Sequence, residues 1–296
     1  MLDLKITANK NALLKGFDNE IYALLQLKDN SPQSKSSTQK FLNISIVIDR
    51  SGSMSGQPLN EAKACAIMMV KRMHADDRIA VVTYDNEAKL VVPSTLCANK
   101  QEIISSIRMI SEGGMTALHA GWLMGAEEVA KNKAENSLNR VLLLSDGNAN
   151  RGLTDIDRIK SQCAQLADAG VTTSTYGLGH DFNETLMIEM AGSGLGQGYY
   201  GETAEDLADP FREEFELLLN TVATNLQLQT EAPSFVSLKL MNNFRQSGNG
   251  WYMPDIAAGG EGWALFKLVI KRNDIGEHPL EILRCFLSFN DSAAAN

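Results

Sequence analysis

The feature that most constrains this chain is an alternation of short, continuously apolar runs with longer amphipathic segments over residues 41–225. Residues 41–48 (FLNISIVI) and 141–144 (VLLL) are mostly apolar and rich in β-branched or leucine side chains, and 171–178 (VTTSTYGL) is a third strand-like run. That is the pattern of strands covered on both faces of a sheet. Between them, helical spacing recurs. Pro58 opens a segment reaching about His74, with Leu59, Ala62, Ala66, Met69, Val70 and Met73 on one face. Further helices are expected over 100–110, 118–132, 155–169 and 183–190, with a long last one over 205–225. Residues 78–92 read as two strands around the turn Asp85-Asn86-Glu87. Strands alternating with helices predict an α/β domain with a doubly wound, mostly parallel, Rossmann-like sheet flanked by helices.

The flanks differ. Residues 2–8 and 20–28 have β character, and NSPQSKSSTQK over 30–40 is a polar, Ser-rich loop or linker. Residues 234–241, 250–254, 262–271 and 280–290 read as β segments separated by Gly- and Asn-rich turns. Neither flank makes a domain alone. The expected organisation is therefore a smaller antiparallel β-sandwich from residues 1–40 and 227–296, into which the α/β domain, 41–226, is inserted.

Composition excludes several classes. The 296 residues carry 36 acidic against 27 basic side chains, a formal net charge of −9, with no basic block. Nucleic acid is not an expected partner, because backbone binding needs clustered Lys and Arg. No apolar run approaches the roughly 20 residues of a membrane helix, so no membrane insertion is expected. The first eight residues lack the apolar core of a signal peptide. The four cysteines lie far apart without metal-ligand spacing, which suits reduced, buried thiols. A cytoplasmic setting is the expectation, or a secreted or periplasmic one if a leader has been removed.

Three segments carry the chemistry. Asp49-Arg50-Ser51-Gly52-Ser53 ends the first buried strand, Gly113-Gly114-Met115-Thr116 joins two helices, and Ser145-Asp146-Gly147 ends the second buried strand. Ligands of open α/β sheets bind at the carboxyl ends of strands, an edge all three can reach. Their donors are two carboxylates and several hydroxyls, which suits Mg²⁺, Mn²⁺ or Ca²⁺ over zinc or copper. Asp49 and Asp146 supply two negative charges, matching one divalent ion. Either aspartate alone reads better as a helix cap; together with the hydroxyls, metal binding is the better reading.

Asp-x-Ser-x-Ser, Gly-Gly-x-Thr and a strand-ending Asp-Gly, in this order on this α/β pattern, resemble the metal-ion-dependent adhesion site of von Willebrand factor type A (VWA) domains. The flanks, and GLGHDFNETLMIEMAGSGLGQGYY over 177–200, are more specifically similar to bacterial proteins related to inter-alpha-trypsin-inhibitor heavy chains. The resemblance implies that Ser51 and Ser53 ligate Mg²⁺ directly, with Mn²⁺ or Ca²⁺ as alternatives. Thr116 would do so directly or through water, and Asp49 and Asp146 mostly through water. It implies a protein-binding module whose ion engages an Asp or Glu of a partner. Arg50, His119, Asn148, Arg151 and His180 flank the motifs as candidate partner contacts, and Asn150 reads as shaping its loop. The alternatives are an accessory subunit recruiting clients to an ATPase complex and, less favoured, a metal-dependent hydrolase. Hydrolysis wants a further carboxylate, base or positioned lysine, and these loops contain no lysine.

Overall fold

A computed structural model describes residues 2–30, 41–134, 137–146, 149–178, 183–201, 203, 206, 208–271 and 281–291. The chain runs β1 (Leu2–Ala8), β2 (Asn19–Asp29), β3 (Phe41–Asp49), α1 (Gln57–Arg72), β4 (Arg78–Tyr84), β5 (Ala88–Leu96), α2 (Lys100–Arg108), α3 (Leu118–Lys131), β6 (Ser137–Ser145), α4 (Ile156–Asp168), β7 (Thr172–Leu178), α5 (Glu184–Ser193), β8 (Leu195–Gly201) and α6 (Ala208–Leu219). It continues through β9 (Thr221–Glu231), β10 (Val236–Leu240), β11 (Gln246–Ser247), β12 (Gly250–Met253), β13 (Ile256–Ala257), β14 (Glu261–Ile270) and β15 (Arg284–Asp291). It divides into two compact units, Lys40–Leu219 and the combination of Met1–Gln39 with Asn220–Asn296.

The first unit is a six-stranded sheet in the order β5-β4-β3-β6-β7-β8. Its strands are parallel except β5, which turns back on β4 through the tight link at Asp85–Glu87. Side chains of the central strand part by pleat. Leu42, Ile44, Ile46 and Ile48 join α1, α2 and α6 in one core, while Val47 joins α3, α4 and α5 in the other. Both faces are thus covered, which is why β3 and β6 are buried along nearly their whole length, polar residues such as Asn43 and Ser45 included. From β3 the chain first builds β4 and β5 on one side and then returns to lay β6 on the other. The reversal places a crevice between the carboxyl ends of β3 and β6, where open α/β sheets bind ligands. Among the described residues no helix is long and apolar enough to cross a membrane.

The second unit consists of antiparallel sheets, β1-β2-β14-β10 and β11-β12-β9-β13 with β15 also paired to β9. Alternate residues of β2 and β14 (Ile21, Leu25, Leu27, Ala264, Phe266, Leu268) share one core with Leu226 and Leu228 of β9. One expected element differs. The last helix ends at Leu219 rather than 225, and residues 221–231 form a strand. The boundary between the units accordingly falls at 219/220, whereas 226/227 lies inside β9. All four cysteines are free thiols, three of them buried. Burial pushes the Cys97 and Cys163 thiols up to about 12, so they are inert core groups.

Candidate metal centre

β3 ends on Asp49, which has no solvent exposure. One carboxylate oxygen accepts from the Ser51 N–H at 2.8 Å, and the other from Ser145 Oγ, at the end of β6, at 2.8 Å. The chain then tightens into a 3-10 turn over Gly52–Met54. There the hydroxyl oxygens of Ser51, buried, and Ser53, exposed, stand 3.2 Å apart.

Backbone bonds stitch the glycine loop onto this turn. Gly113 N–H donates to the Arg50 carbonyl at 2.6 Å, and Gly52 N–H to the Gly114 carbonyl at 2.9 Å. Behind the loop stands the β4–β5 turn, whose Asn86 side chain accepts from Met115 N–H at 3.1 Å. The fit leaves no room for side chains: a Cβ at Gly113 would lie 2.1 Å from an Asp85 carboxylate oxygen, and one at Gly114 would lie 2.6 Å from the Asn86 amide. Thr116, buried, closes the loop. Its N–H donates to Asn150 Oδ1 at 3.0 Å, and its carbonyl accepts from the Asn150 N–H at 3.2 Å. All three segments therefore meet at the crevice.

The centre is electrostatically incomplete. Burial, and secondarily the charge of Asp146, pushes the Asp49 carboxyl up to about 6, against the lowering effect of the Ser51 N–H. Among the described residues no Lys or Arg pairs with Asp49. The nearest arginine in sequence, Arg50, is turned away to Asp85 at 2.5 Å and the Ser111 carbonyl at 3.1 Å. The donor set fits a small hard cation. Two neighbouring ligands of an octahedral Mg²⁺, bonded at about 2.1 Å, stand about 3.0 Å apart, close to the 3.2 Å between Ser51 and Ser53. Among the described residues no cluster of three His, Cys, Asp or Glu side chains suits an ion; the oxygen donors here are chiefly hydroxyls.

Of the expected ligands, Asp49, Ser51 and Ser53 lie within hydrogen-bonding reach in one chain. Asp146 directly follows Ser145 and acts on Asp49 through its charge. Thr116 is brought alongside by its loop. The candidate partner contacts are more scattered. Arg50 braces Asp85 and the 111 carbonyl from inside. His119 bonds through Nε2 to Gln162 at 2.6 Å and lies 5.9 Å from the Trp122 ring, in contact with α4. Arg151 is exposed, and Asn148 and His180 fall outside the described residues. Asn150 does shape its loop. Sequence reasoning left out Asp85, Asn86 and Ser145. The first two stood in plain view as a turn, but only the fold shows that the turn supports the glycine loop.

The sequence profile of the von Willebrand factor type A domain matches residues 43–213. The chain belongs to the VWA family. It is 31% identical over 233 residues to the protein YfbK of Escherichia coli, covering 78% of this chain and 40% of that one. It is 28% identical over 217 residues to inter-alpha-trypsin inhibitor heavy chain H1 of Mesocricetus auratus, covering 69% of this chain and 23% of the relative. It therefore spans less than half the length of these relatives. The fold is that of a von Willebrand factor type A protein from Catenulispora acidiphila, with a TM-score of 0.78 at 19% identity over 98% of this chain and 70% of that one. VWA domains are protein-interaction modules, mainly non-enzymatic, and commonly bind a divalent metal.

Proposed function

We propose that this VWA domain binds a partner protein through a divalent cation. Mg²⁺ is held by the hydroxyls of Ser51, Ser53 and Thr116, with Asp49 and Asp146 behind them, and Mn²⁺ or Ca²⁺ can replace it. When bound, the ion supplies a Lewis-acidic position for a carboxylate of the partner, from Asp or Glu. The observation that carries this reading is the pair of hydroxyl oxygens 3.2 Å apart beside a wholly buried carboxylate whose donors are an amide and a hydroxyl rather than a cation. Hard neutral donors leave the ion electrophilic, and two carboxylates bring the filled site close to neutrality. Binding without turnover is proposed: the three segments hold no lysine, and His119 is hydrogen-bonded to Gln162 of α4.

The test is thermal unfolding of EDTA-stripped protein titrated with Mg²⁺, Mn²⁺ and Ca²⁺, beside Asp49→Ala. An ion that binds only the folded state stabilises it by about 2.7 kcal/mol at 100 times Kd. A saturable rise in unfolding temperature, lost in Asp49→Ala, is expected. No rise with any of the three ions would overturn the reading.

A further inference from the structure

At the inner wall of the centre stands a side chain that the metal reading leaves unused. Tyr84 is the last residue of β4, and the parallel register pairs its Cα with that of Asp49. On the other side of β3, Ile48 pairs with Leu144, which brings Ser145 beside Asp49. Residues in register on neighbouring parallel strands point to the same face. Tyr84, Asp49 and Ser145 thus form a row of polar side chains across β4, β3 and β6. α3 lies directly on the ring: a Cβ at Gly121 would stand 2.3 Å from Tyr84 Cδ1, so glycine is what admits the phenol there.

The row is incompletely bonded. Ser145 Oγ–H and Ser51 N–H each donate to Asp49. The Tyr84 hydroxyl, wholly buried and close to Asp49 and Ser145, completes no well-formed hydrogen bond among the described residues. A buried hydroxyl without a partner is destabilising, a cost that phenylalanine in the same space would not carry. An ionised carboxylate accepts about four hydrogen bonds, and among the described residues Asp49 accepts the two from Ser51 N–H and Ser145 Oγ. The phenol is therefore a disadvantage in the metal-free site and an advantage once an ion draws the Asp49 carboxylate into one orientation with an acceptor position toward Tyr84.

We infer that Tyr84 is a positioning residue of the metal centre: with a divalent cation bound, its hydroxyl donates to the Asp49 carboxylate and fixes that group's orientation toward the ion. The inference rests on the metal reading above. Tyr84 acts through Asp49 and touches neither ion nor partner. Removing such an outer partner of a metal-binding group typically weakens metal affinity about 10–100-fold.

The experiment compares wild type with Tyr84→Phe, both stripped with EDTA, by isothermal titration with Mg²⁺ and by unfolding without metal. The expected result is a split. Tyr84→Phe unfolds without metal at the wild-type temperature or above it, and its Mg²⁺ Kd is weaker by about 10–100-fold. In wild type, Mg²⁺ also produces a tyrosine red shift in the near-ultraviolet difference spectrum, as the phenol becomes a donor, and the variant lacks it. An unchanged Kd in Tyr84→Phe, or an equal loss of stability with and without Mg²⁺, would overturn the inference while leaving the metal reading intact. A wild type that binds no Mg²⁺, Mn²⁺ or Ca²⁺ would instead remove the metal reading and this inference together.

Discussion

The α/β unit buries carboxylates in two contrasting ways. Glu214, on α6, is 1% exposed and lies on the side of the sheet packed by α1 and α2. It pairs with Arg140 at 3.0 Å and accepts from the Tyr176 hydroxyl at 2.6 Å and from Ser174 Oγ. Its charge is balanced inside the chain. Asp49, equally buried, receives among the described residues an amide and a hydroxyl, has the negative Asp146 nearby, and has its sequence neighbour Arg50 committed to Asp85. Both groups lose their hydration, and only Glu214 is compensated by a cation of its own chain. Burial alone does not separate an anchoring carboxylate from one waiting for a ligand; the sign of the charges around it does.

The largest expected effect lies on the balanced side. Glu214→Ala removes the buried carboxylate that Arg140 meets at 3.0 Å, and breaking a buried ion pair in this way costs about 3–5 kcal/mol. Urea unfolding should show a much lower midpoint at an unchanged slope. Asp49→Asn removes a charge that no Lys or Arg among the described residues neutralises, so its metal-free midpoint should stay at the wild-type value or rise. Equal losses in the two variants would erase the contrast.

pH sharpens the comparison next. The folded-state value for Asp49, about 6, lies above its ordinary 3.8. Between these values the folded protein holds a proton that the unfolded chain has released. This group's contribution therefore falls as pH rises through that window, by at most about 1.4 kcal/mol per pH unit for one proton, and levels off above about 6. Mg²⁺ reverses the trend, because its binding expels the proton. Mg²⁺ affinity should increase up to about tenfold per pH unit on approaching 6 and be flat above it. Asp49→Asn should lose this dependence of metal-free stability. Unfolding and Mg²⁺ titrations across the window measure both slopes. A metal-free wild type that gains stability between 4 and 6 from this group would contradict the assignment.

Much of this arrangement was legible in the chain, for definable reasons. The largely apolar runs of β3 and β6 point to the doubly covered sheet, and the switch between those strands follows from where β4 and β5 are spent. Asp49, Ser51, Ser53, Thr116 and Asp146 were singled out from motifs a few residues long, and the fold brings those segments to one crevice. β9 was not legible. Leu218, Val222 and Leu226 are spaced four apart and read as one helical stripe. In the structure Asn225 adopts a φ of 55° at an irregularity in the pairing with β15, and the buried position shifts from Ala223 to Leu226 and Leu228. A bulge that reverses strand alternation thus reproduces the spacing of a helix. Nor was the Glu214 node legible, since Arg140 and Glu214 lie 74 residues apart and Glu214 sits among acidic neighbours that read as a solvated face. Tyr84 read as a strand residue, and only the register against Asp49 gives it a role.

The smallest effects come from paired hydroxyl deletions, one on each carboxylate. Ser174→Ala removes one donor from Glu214, which keeps Arg140 and Tyr176, and it also removes the acceptor of the Gln197 N–H. A loss of about 1 kcal/mol is expected, with Mg²⁺ affinity unchanged because the node belongs to the opposite core. Ser145→Ala removes the bond to Asp49 and should lower metal-free stability by a similar amount. It should also weaken Mg²⁺ about 10–100-fold, since the same donor steadies the carboxylate that faces the ion. Matched unfolding and calorimetric titration of the two variants therefore separates the carboxylates by their second readout. If Ser174→Ala weakened Mg²⁺ as much as Ser145→Ala did, Glu214 and Asp49 would belong to one coupled network, and the division into an anchoring and a ligand-binding carboxylate would fall.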